Sequence, residues 1–292
     1  MEYQEEFLAY ILKHLKGIGN KGLLRIISYY QLPKFLSAST MELIEVGKVN
    51  RRYLPRFVES VHHVKENIEN YQEAFIHDSF ISLFHSAYPK RLLEIYNPPL
   101  GLFYQGDLAL LSKKSLAVIG ARDFTIYGER VVEKFVPELI KEDMVIVSGL
   151  ARGIDSIAHR TCLKNGGSTI GVIGCGLDCY YPKENQSLQE QLAKEHLLLS
   201  EYCQGTKPLK HHFPARNRII AGISHGICII EAKERSGTFI TAELALNEGR
   251  DVFAVPGSCL QDYSLGCLKI IQEGAKCVYH PQHIIEEIQN YF

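Results

Sequence analysis

The chain has 292 residues, and its 32 Lys and Arg against 33 Asp and Glu give a formal net charge of -1. Such a chain has no basic tail with which to hold a polyanion, so a partner of that kind must meet a local patch. Hydrophobic content of 46% and charged content of 22% exclude a disordered chain and suit one large domain plus a small one; no apolar run approaches a membrane span.

The acidic start, Met1-Glu2-Tyr3-Gln4-Glu5-Glu6, does not read as a secretory signal, and a cytoplasmic protein is expected. Residues 1–80 read as a helical domain. Phe7, Leu8, Ile11, Leu12 and Leu15 make a helical stripe between Glu6 and Lys16. Gly17-Ile18-Gly19-Asn20 follows, then Leu23, Leu24, Ile26 and Ile27 on a second helix. Two helices about a Gly-x-Gly turn resemble a helix-hairpin-helix, whose backbone N–H groups can hold a phosphate; a plain turn between core helices has the same pattern. More helix, interspersed with Arg51, Arg52 and Arg56, is expected over 43–64. Tyr88-Pro89-Lys90-Arg91 and Asn97-Pro98-Pro99 read as an extended connector between domains.

From Ser115 onward, β-branched apolar runs at 116–119, 144–147, 169–173, 197–199, 227–230, 252–255 and 277–279 alternate with helical stretches. Buried strands alternating with helices predict an α/β fold over 81–292, a doubly wound and mostly parallel sheet covered on both faces. Glycines follow the strand ends at Gly120, Gly149, Gly174 with Gly176, and Gly257, where such a sheet forms its ligand crevice and backbone can approach a ligand closely. In Val118-Ile119-Gly120-Ala121-Arg122 the arginine is placed either to meet a phosphate or to pair with Asp155 or Glu231. Asp155 and His159, four apart on one helix, read as an acid/base pair or as a buried hydrogen bond. Ser236 is a candidate N-cap, and Ser236-Gly237-Thr238 offers backbone N–H groups and hydroxyls to an anion.

Several chemistries are excluded. There is no Gly-x-x-x-x-Gly-Lys-[Ser/Thr] loop, Gly120 lacks the Gly-x-Gly-x-x-Gly spacing, Gly174-Cys175-Gly176 has Cys179 where the third glycine belongs, and no Gly-x-Ser-x-Gly elbow occurs. The eight cysteines, at 162, 175, 179, 203, 228, 259, 267 and 277, form no Cys-x-x-Cys pair. With several inside apolar runs, they read as reduced core thiols rather than disulfides or metal ligands. No cofactor or metal is expected.

The most informative stretch is Lys207-Pro208-Leu209-Lys210-His211-His212-Phe213-Pro214-Ala215-Arg216-Asn217-Arg218-Ile219-Ile220. It brings Lys207, Lys210, Arg216 and Arg218 together with Phe213. Cations neutralise phosphates and a ring stacks on a base, which is how proteins grip single strands without reading sequence; a solvated surface loop has the same composition.

Together these segments resemble the DNA-processing protein A family, also called Smf. The resemblance rests on Ala117-Val118-Ile119-Gly120-Ala121-Arg122, Ile146-Val147-Ser148-Gly149-Leu150-Ala151-Arg152-Gly153-Ile154-Asp155, Gly174-Cys175-Gly176-Leu177-Asp178, Ser200-Glu201-Tyr202, Phe213-Pro214-Ala215-Arg216-Asn217-Arg218-Ile219-Ile220-Ala221-Gly222 and Phe253-Ala254-Val255-Pro256-Gly257. It covers 88–292 strongly and the first 80 residues loosely. It implies an extended Rossmann-like domain behind a small sterile-alpha-motif-like helical domain. It also implies a homodimer that binds single-stranded DNA, protects incoming strands in natural transformation and helps load RecA recombinase past single-strand-binding protein, without being an enzyme. The DNA site it implies comprises Gly120, Arg122, Gly149, Lys207, Lys210, Phe213, Arg216, Asn217, Arg218, Ser236, Gly237 and Thr238. The family's Gly-Ser-Arg turn is Gly120-Ala121-Arg122 here, one hydroxyl short, and its Ser-Gly-Ser turn is Ser236-Gly237-Thr238. Ile271 and Cys277 are expected at the dimer surface, with ordinary core packing as the other reading. The chain ends at Phe292, as expected of the form without a C-terminal winged helix. The sheet also resembles that of LOG-type nucleotide phosphoribohydrolases, but the paired glycines of their Pro-Gly-Gly-x-Gly-Thr-x-x-Glu loop are missing from Glu231-Ala232-Lys233-Glu234-Arg235-Ser236-Gly237-Thr238; Glu243 is the nearest acid.

Overall fold

Six of the seven apolar runs form strands, and of the run 277–279 only Cys277 lies in one. The computed structural model describes residues 2–234 and 236–289, and in it β3 (Ser115–Ile119), β4 (Val145–Ser148), β5 (Thr169–Ile173), β6 (Leu197–Ser200), β7 (Gly226–Ile229), β8 (Asp251–Ala254) and β9 (Lys276–Cys277) pair in parallel. Two strands absent from the sequence reading, β1 (Phe80–Ser82) and β2 (Gly101–Gly106), join antiparallel beside β6. The nine-stranded sheet runs β1-β2-β6-β5-β4-β3-β7-β8-β9, an α/β, Rossmann-like architecture preceded by helices.

Every residue of β3 to β7 is buried, because helices cover both faces. Leu116, Val118, Ile146 and Cys228 pack under helices Ile126–Lys141, Ile154–Lys164 and Gln282–Gln289. Ala117, Ile119, Val147 and Ile227 pack under helices His212–Ile223 and Gly237–Asn247. The strand order reverses between β3 and β7, so the loops after these strands diverge and leave a crevice at their carboxyl ends.

Six α-helices precede the sheet, Glu2–Lys13, Asn20–Tyr29, Leu32–Ser37, Thr40–Gly47, Leu54–Glu66 and Ile68–His77. The stripe from Phe7 to Leu15 is buried as its spacing predicts. Its core continues into the sheet: the Tyr10 ring lies 5.4 Å from Phe80 and 6.1 Å from Phe103. The Gly17–Asn20 turn is used internally. Asn20 donates to Asn97 Oδ1 (2.8 Å) and the Pro98 carbonyl (2.7 Å), and accepts from the Leu100 N–H at 3.0 Å. The proline-rich segment therefore does not link helices to sheet. It connects β1 to β2 and is not extended throughout: Lys90–Leu93 forms a short helix, and the bonds from Asn20 hold the 97–100 end.

All eight cysteines are free; Cys162, Cys175, Cys228 and Cys267 are buried, while Cys259 and Cys277 are exposed. No helix among the described residues is long and apolar enough to cross a membrane.

One ionic cluster ties the helices to the sheet. Glu201, just beyond β6, receives Arg218 Nη2 at 2.5 Å and Lys13 Nζ at 3.7 Å, with all three side chains at most 8% exposed. Removing the shared anion strands two buried cations, and breaking a buried pair in this way costs about 3–5 kcal/mol. Glu201→Ala is therefore expected to lower the unfolding free energy by that amount, measured by urea denaturation, whereas Arg152→Ala, which breaks the exposed pair with Glu184, should change it by less than about 1 kcal/mol.

Candidate nucleic-acid interface

The crevice between the β3 and β7 loops is a cavity of about 580 Å³. On one side lie Gly120, Ala121 and Arg122 after β3, with Tyr181 from the loop after β5 and Lys210, Phe213 and Asn217 from the entry and first turns of helix His212–Ile223. The other side is lined by Lys233, Ser236, Gly237 and Thr238 after β7, and by Tyr263. Four cationic side chains, Arg122, Lys210, Arg216 and Lys233, face two acids, Asp123 and Asp155, a balance that favours a polyanion.

Arg122 is exposed. It does not take either structural partner open to it in the sequence reading: Glu231 instead accepts the Thr125 N–H at 2.9 Å and the Thr125 hydroxyl at 2.5 Å, and Asp155 accepts the Gly149 N–H at 3.2 Å. The Arg122 guanidinium lies 5.8 Å from the Phe213 ring centroid, and the Tyr181 ring lies 5.3 Å from Phe213 at a 39° tilt. A cation and two rings thus form one continuous wall able to meet a phosphate and a base face together. Thr125, capping helix Ile126–Lys141 through the Gly128 N–H, fixes where the Arg122 loop ends.

The Arg-Asn-Arg element divides differently from the expectation. Arg216 is 4% exposed and reaches the cavity only from beneath, donating to the Gly149 carbonyl at 2.5 Å and to the Val172 carbonyl. Burial pushes its pKa down to about 10, with the nearby Asp155 carboxylate opposing that shift, so it stays charged. Gly149 leaves the space the guanidinium fills: a Cβ there would collide with it. Asn217 accepts from Arg216 Nε at 3.1 Å and donates to the Thr241 hydroxyl at 2.7 Å. Arg218 is 7% exposed, turned away into the ion pair with Glu201, and does not line the cavity. The reason is helical geometry: two residues along a helix turn the side chain by about 200°, to the opposite face. Lys207 is exposed but lies outside the lining, as Gly149 does. Ser236 caps helix Gly237–Asn247 through the Phe239 N–H, and Thr238 donates to the Gly120 carbonyl at 3.2 Å, joining the β3 and β7 loops. Arg235 lies outside the described residues. Glu243 is exposed and is not among the lining residues.

Tyr181, Lys233, Tyr263, Asp123 and Thr241 also line the cavity without having been singled out. Their only sequence signal was position: each lies shortly after a strand end or on the helix that follows. Leu150 was equally hidden. It holds φ 55° beside Gly149, an uncommon conformation for a branched residue, and Asn185 donates to its carbonyl at 3.1 Å. Ile271 and Cys277 are not among the lining residues; Ile271, on helix Asp262–Gln272, is half-buried against the core, and Cys277, in β9, is exposed.

These features can be set beside known proteins. The sequence model of the family described as DNA recombination-mediator protein A matches residues 79–289. The chain belongs to that family. It is 52% identical over 208 residues to DNA processing protein DprA of Streptococcus pneumoniae, covering 71% of this chain and 73% of that protein. It is 36% identical over 282 residues to protein Smf of Synechocystis, covering 94% and 70%. The X-ray structure of the Streptococcus pneumoniae protein matches with a TM-score of 0.84 at 43% identity, over 95% of this chain and 96% of that one. A structure concerned with the single-stranded DNA binding mode of DNA processing protein A from Helicobacter pylori matches with a TM-score of 0.66 at 32% identity, over 74% and 98%.

The Asp155 and His159 side chains have separate partners. Thr169 gives its hydroxyl proton to the Ile146 carbonyl, so the His159 Nδ1–H donates to Thr169 Oγ1 at 2.7 Å. Burial lowers the His159 pKa from 6.5 to about 3. The unfolded chain therefore takes up this proton first, and stability is expected to decline as pH falls below 6.5 until about 3. From about pH 6.5 to about pH 5 the loss from this residue should be about 2 kcal/mol, seen as a lower urea midpoint, and His159→Gln should flatten that slope.

Proposed function

We propose that this protein is a single-stranded DNA-binding recombination mediator. It protects incoming strands and helps load RecA recombinase past single-strand-binding protein during natural transformation, as a cytoplasmic homodimer and without catalysis. In this reading 81–292 is the extended Rossmann-like DNA-binding unit and 1–80 is the sterile-alpha-motif-like helical unit. The observation that carries it is the Arg122–Phe213–Tyr181 wall in a cationic crevice at the switch point of the sheet. Membership of the recombination-mediator family and the likeness to the Helicobacter pylori protein support it.

Within this reading the named residues divide by exposure. Arg122, Lys210 and Lys207 meet phosphates, and Phe213 stacks on a base. Gly120, Ser236, Gly237 and Thr238 offer backbone and hydroxyl donors. Gly149, Arg216, Asn217 and Arg218 hold the crevice in shape rather than taking phosphates from solvent. The LOG-type reading loses support from the position of Glu243 outside the cavity and from the missing glycines.

The test is anisotropy of a labelled single-stranded oligothymidine across a salt series. Arg122→Ala should weaken binding and reduce the salt slope by about 0.7, and Phe213→Ala should cost about 1–3 kcal/mol, while duplex DNA binds poorly. A slope indifferent to Arg122 would remove the crevice as the single-strand site.

One crevice holds few nucleotides, so tight binding calls for two crevices on one strand. The sheet ends at β9, whose two residues are exposed, an edge open to pairing. Ile271 and Cys277 flank that edge in the proposed dimer, and Ile271→Glu is expected to sediment as a folded monomer; a folded dimer would refute the assignment.

A further inference from the structure

The Arg122–Phe213–Tyr181 wall accounts for one side of the crevice only. We propose that Tyr263, together with Lys233, is a second nucleotide station on the other side, taking an unpaired base on the tyrosine ring and its phosphate on the lysine. This rests on the reading of the crevice as a single-strand site and adds to it a residue pair, a position and a direction for the strand's path.

The two residues are joined rigidly. Lys233 lies just beyond β7, and Tyr263 sits in the first turn of helix Asp262–Gln272. The Ala232 N–H donates to the Tyr263 carbonyl at 2.8 Å, and the Gly266 N–H donates to the Ala232 carbonyl at 2.9 Å. A Cβ on Gly266 would lie 2.6 Å from the Ala232 carbonyl oxygen and 2.7 Å from that of Lys233, so the helix reaches this strand end only because residue 266 has no side chain. The two backbones are thus held together, and the lysine ammonium stands 4.4 Å from the ring centroid.

Neither side chain is needed by the hydrophobic cores, which do not include Tyr263. Lys233 is exposed and makes no ion pair within 4 Å among the described residues, and the neighbouring Glu234 is drawn to Lys269 at 3.4 Å. Both Lys233 and Tyr263 line the cavity. In sheet order Tyr181 follows β5 and Arg122 follows β3, whereas Lys233 follows β7 and Tyr263 follows β8, so the crevice separates the two pairs. A cation held beside a ring therefore occurs on each side of one cleft, the combination that binds one nucleotide's phosphate and base. A strand crossing from β5 toward β8 would place successive nucleotides on the two stations, and a duplex, with its base faces stacked inside, could use neither.

The experiment compares wild type, Tyr263→Ala, Tyr263→Phe, Lys233→Gln and Phe213→Ala, each checked for a wild-type thermal transition, on a labelled oligothymidine and on an abasic strand of equal length. Tyr263→Ala should weaken oligothymidine binding about 5- to 150-fold and leave the abasic strand unaffected, with Tyr263→Phe close to wild type. Lys233→Gln should lower the salt slope on both strands by about 0.7. If Tyr263→Ala binds oligothymidine like wild type while Phe213→Ala does not, the second station is wrong and the single-strand reading stands. Equal losses on both strands would make Tyr263 a structural residue and also overturn the station. If Phe213→Ala too is without effect, the crevice itself is misread and the inference falls with it.

Discussion

The guanidinium of Arg216 is the interaction on which the interface depends. A buried charge of this kind is tolerable only when its donors are occupied, because desolvation costs several kcal/mol per ion. Its donors go to the carbonyl of Gly149 at the end of β4, the carbonyl of Val172 in β5 and the side-chain oxygen of Asn217, with Asp155 supplying the opposing charge. Two strand ends, a strained loop and the helix bearing Phe213 are therefore held to one another by a single side chain. The exposed residues above it can be soft and cationic because the floor below them is not. A binding surface made only of lysines and arginines on flexible loops would spend much of its affinity on ordering them.

Most of the fold was legible because the parallel strands are buried on both faces, and that burial imposes unbroken β-branched runs. The same logic failed for β1 and β2. β1 has only three residues, β2 begins and ends in glycine and turns exposed along its second half, and prolines separate the two, so their sequence carries the marks of a connector. The helices of the first 80 residues were visible through the Phe7–Leu15 stripe, whereas the use of Asn20 as a clamp on Asn97, Pro98 and Leu100 depends on a contact some eighty residues away, which no local pattern reports.

The interface was legible as a segment and not as a surface. From the run of cations around Phe213, Lys210 and Arg216 line the crevice, and Arg122 lies beside Phe213 there. Composition could not separate Arg122, which is exposed, from Arg216 and Arg218, which are buried: the same residue type can face solvent or pair internally, and for the latter two the helix phase against Gly149 and Glu201 decides. Tyr181 and Tyr263 were missed for the complementary reason. A tyrosine in a loop or at the start of a helix acquires meaning only from the strand order that brings it beside a cation.

The cluster of Lys13, Glu201 and Arg218 constrains how such a chain can change over time. Two buried cations share one anion, and Glu201 Oε1 and Arg218 Nε and Nη1 are without hydrogen-bond partners among the described residues. Losing Glu201 therefore strands both cations, losing Lys13 leaves a balanced pair, and concerted exchange of all three for apolar side chains of similar volume leaves no buried charge. Lys13 belongs to the leading helical segment and Arg218 to the helix that lines the crevice. In a recombinant joining the leading segment of one relative to the sheet of another, Glu201 and Arg218 travel together and stay paired, so a neutral residue at 13 would be tolerated whereas an acid there would face Glu201 across the seam; the seam fixes the sign of one charge rather than the sequence around it.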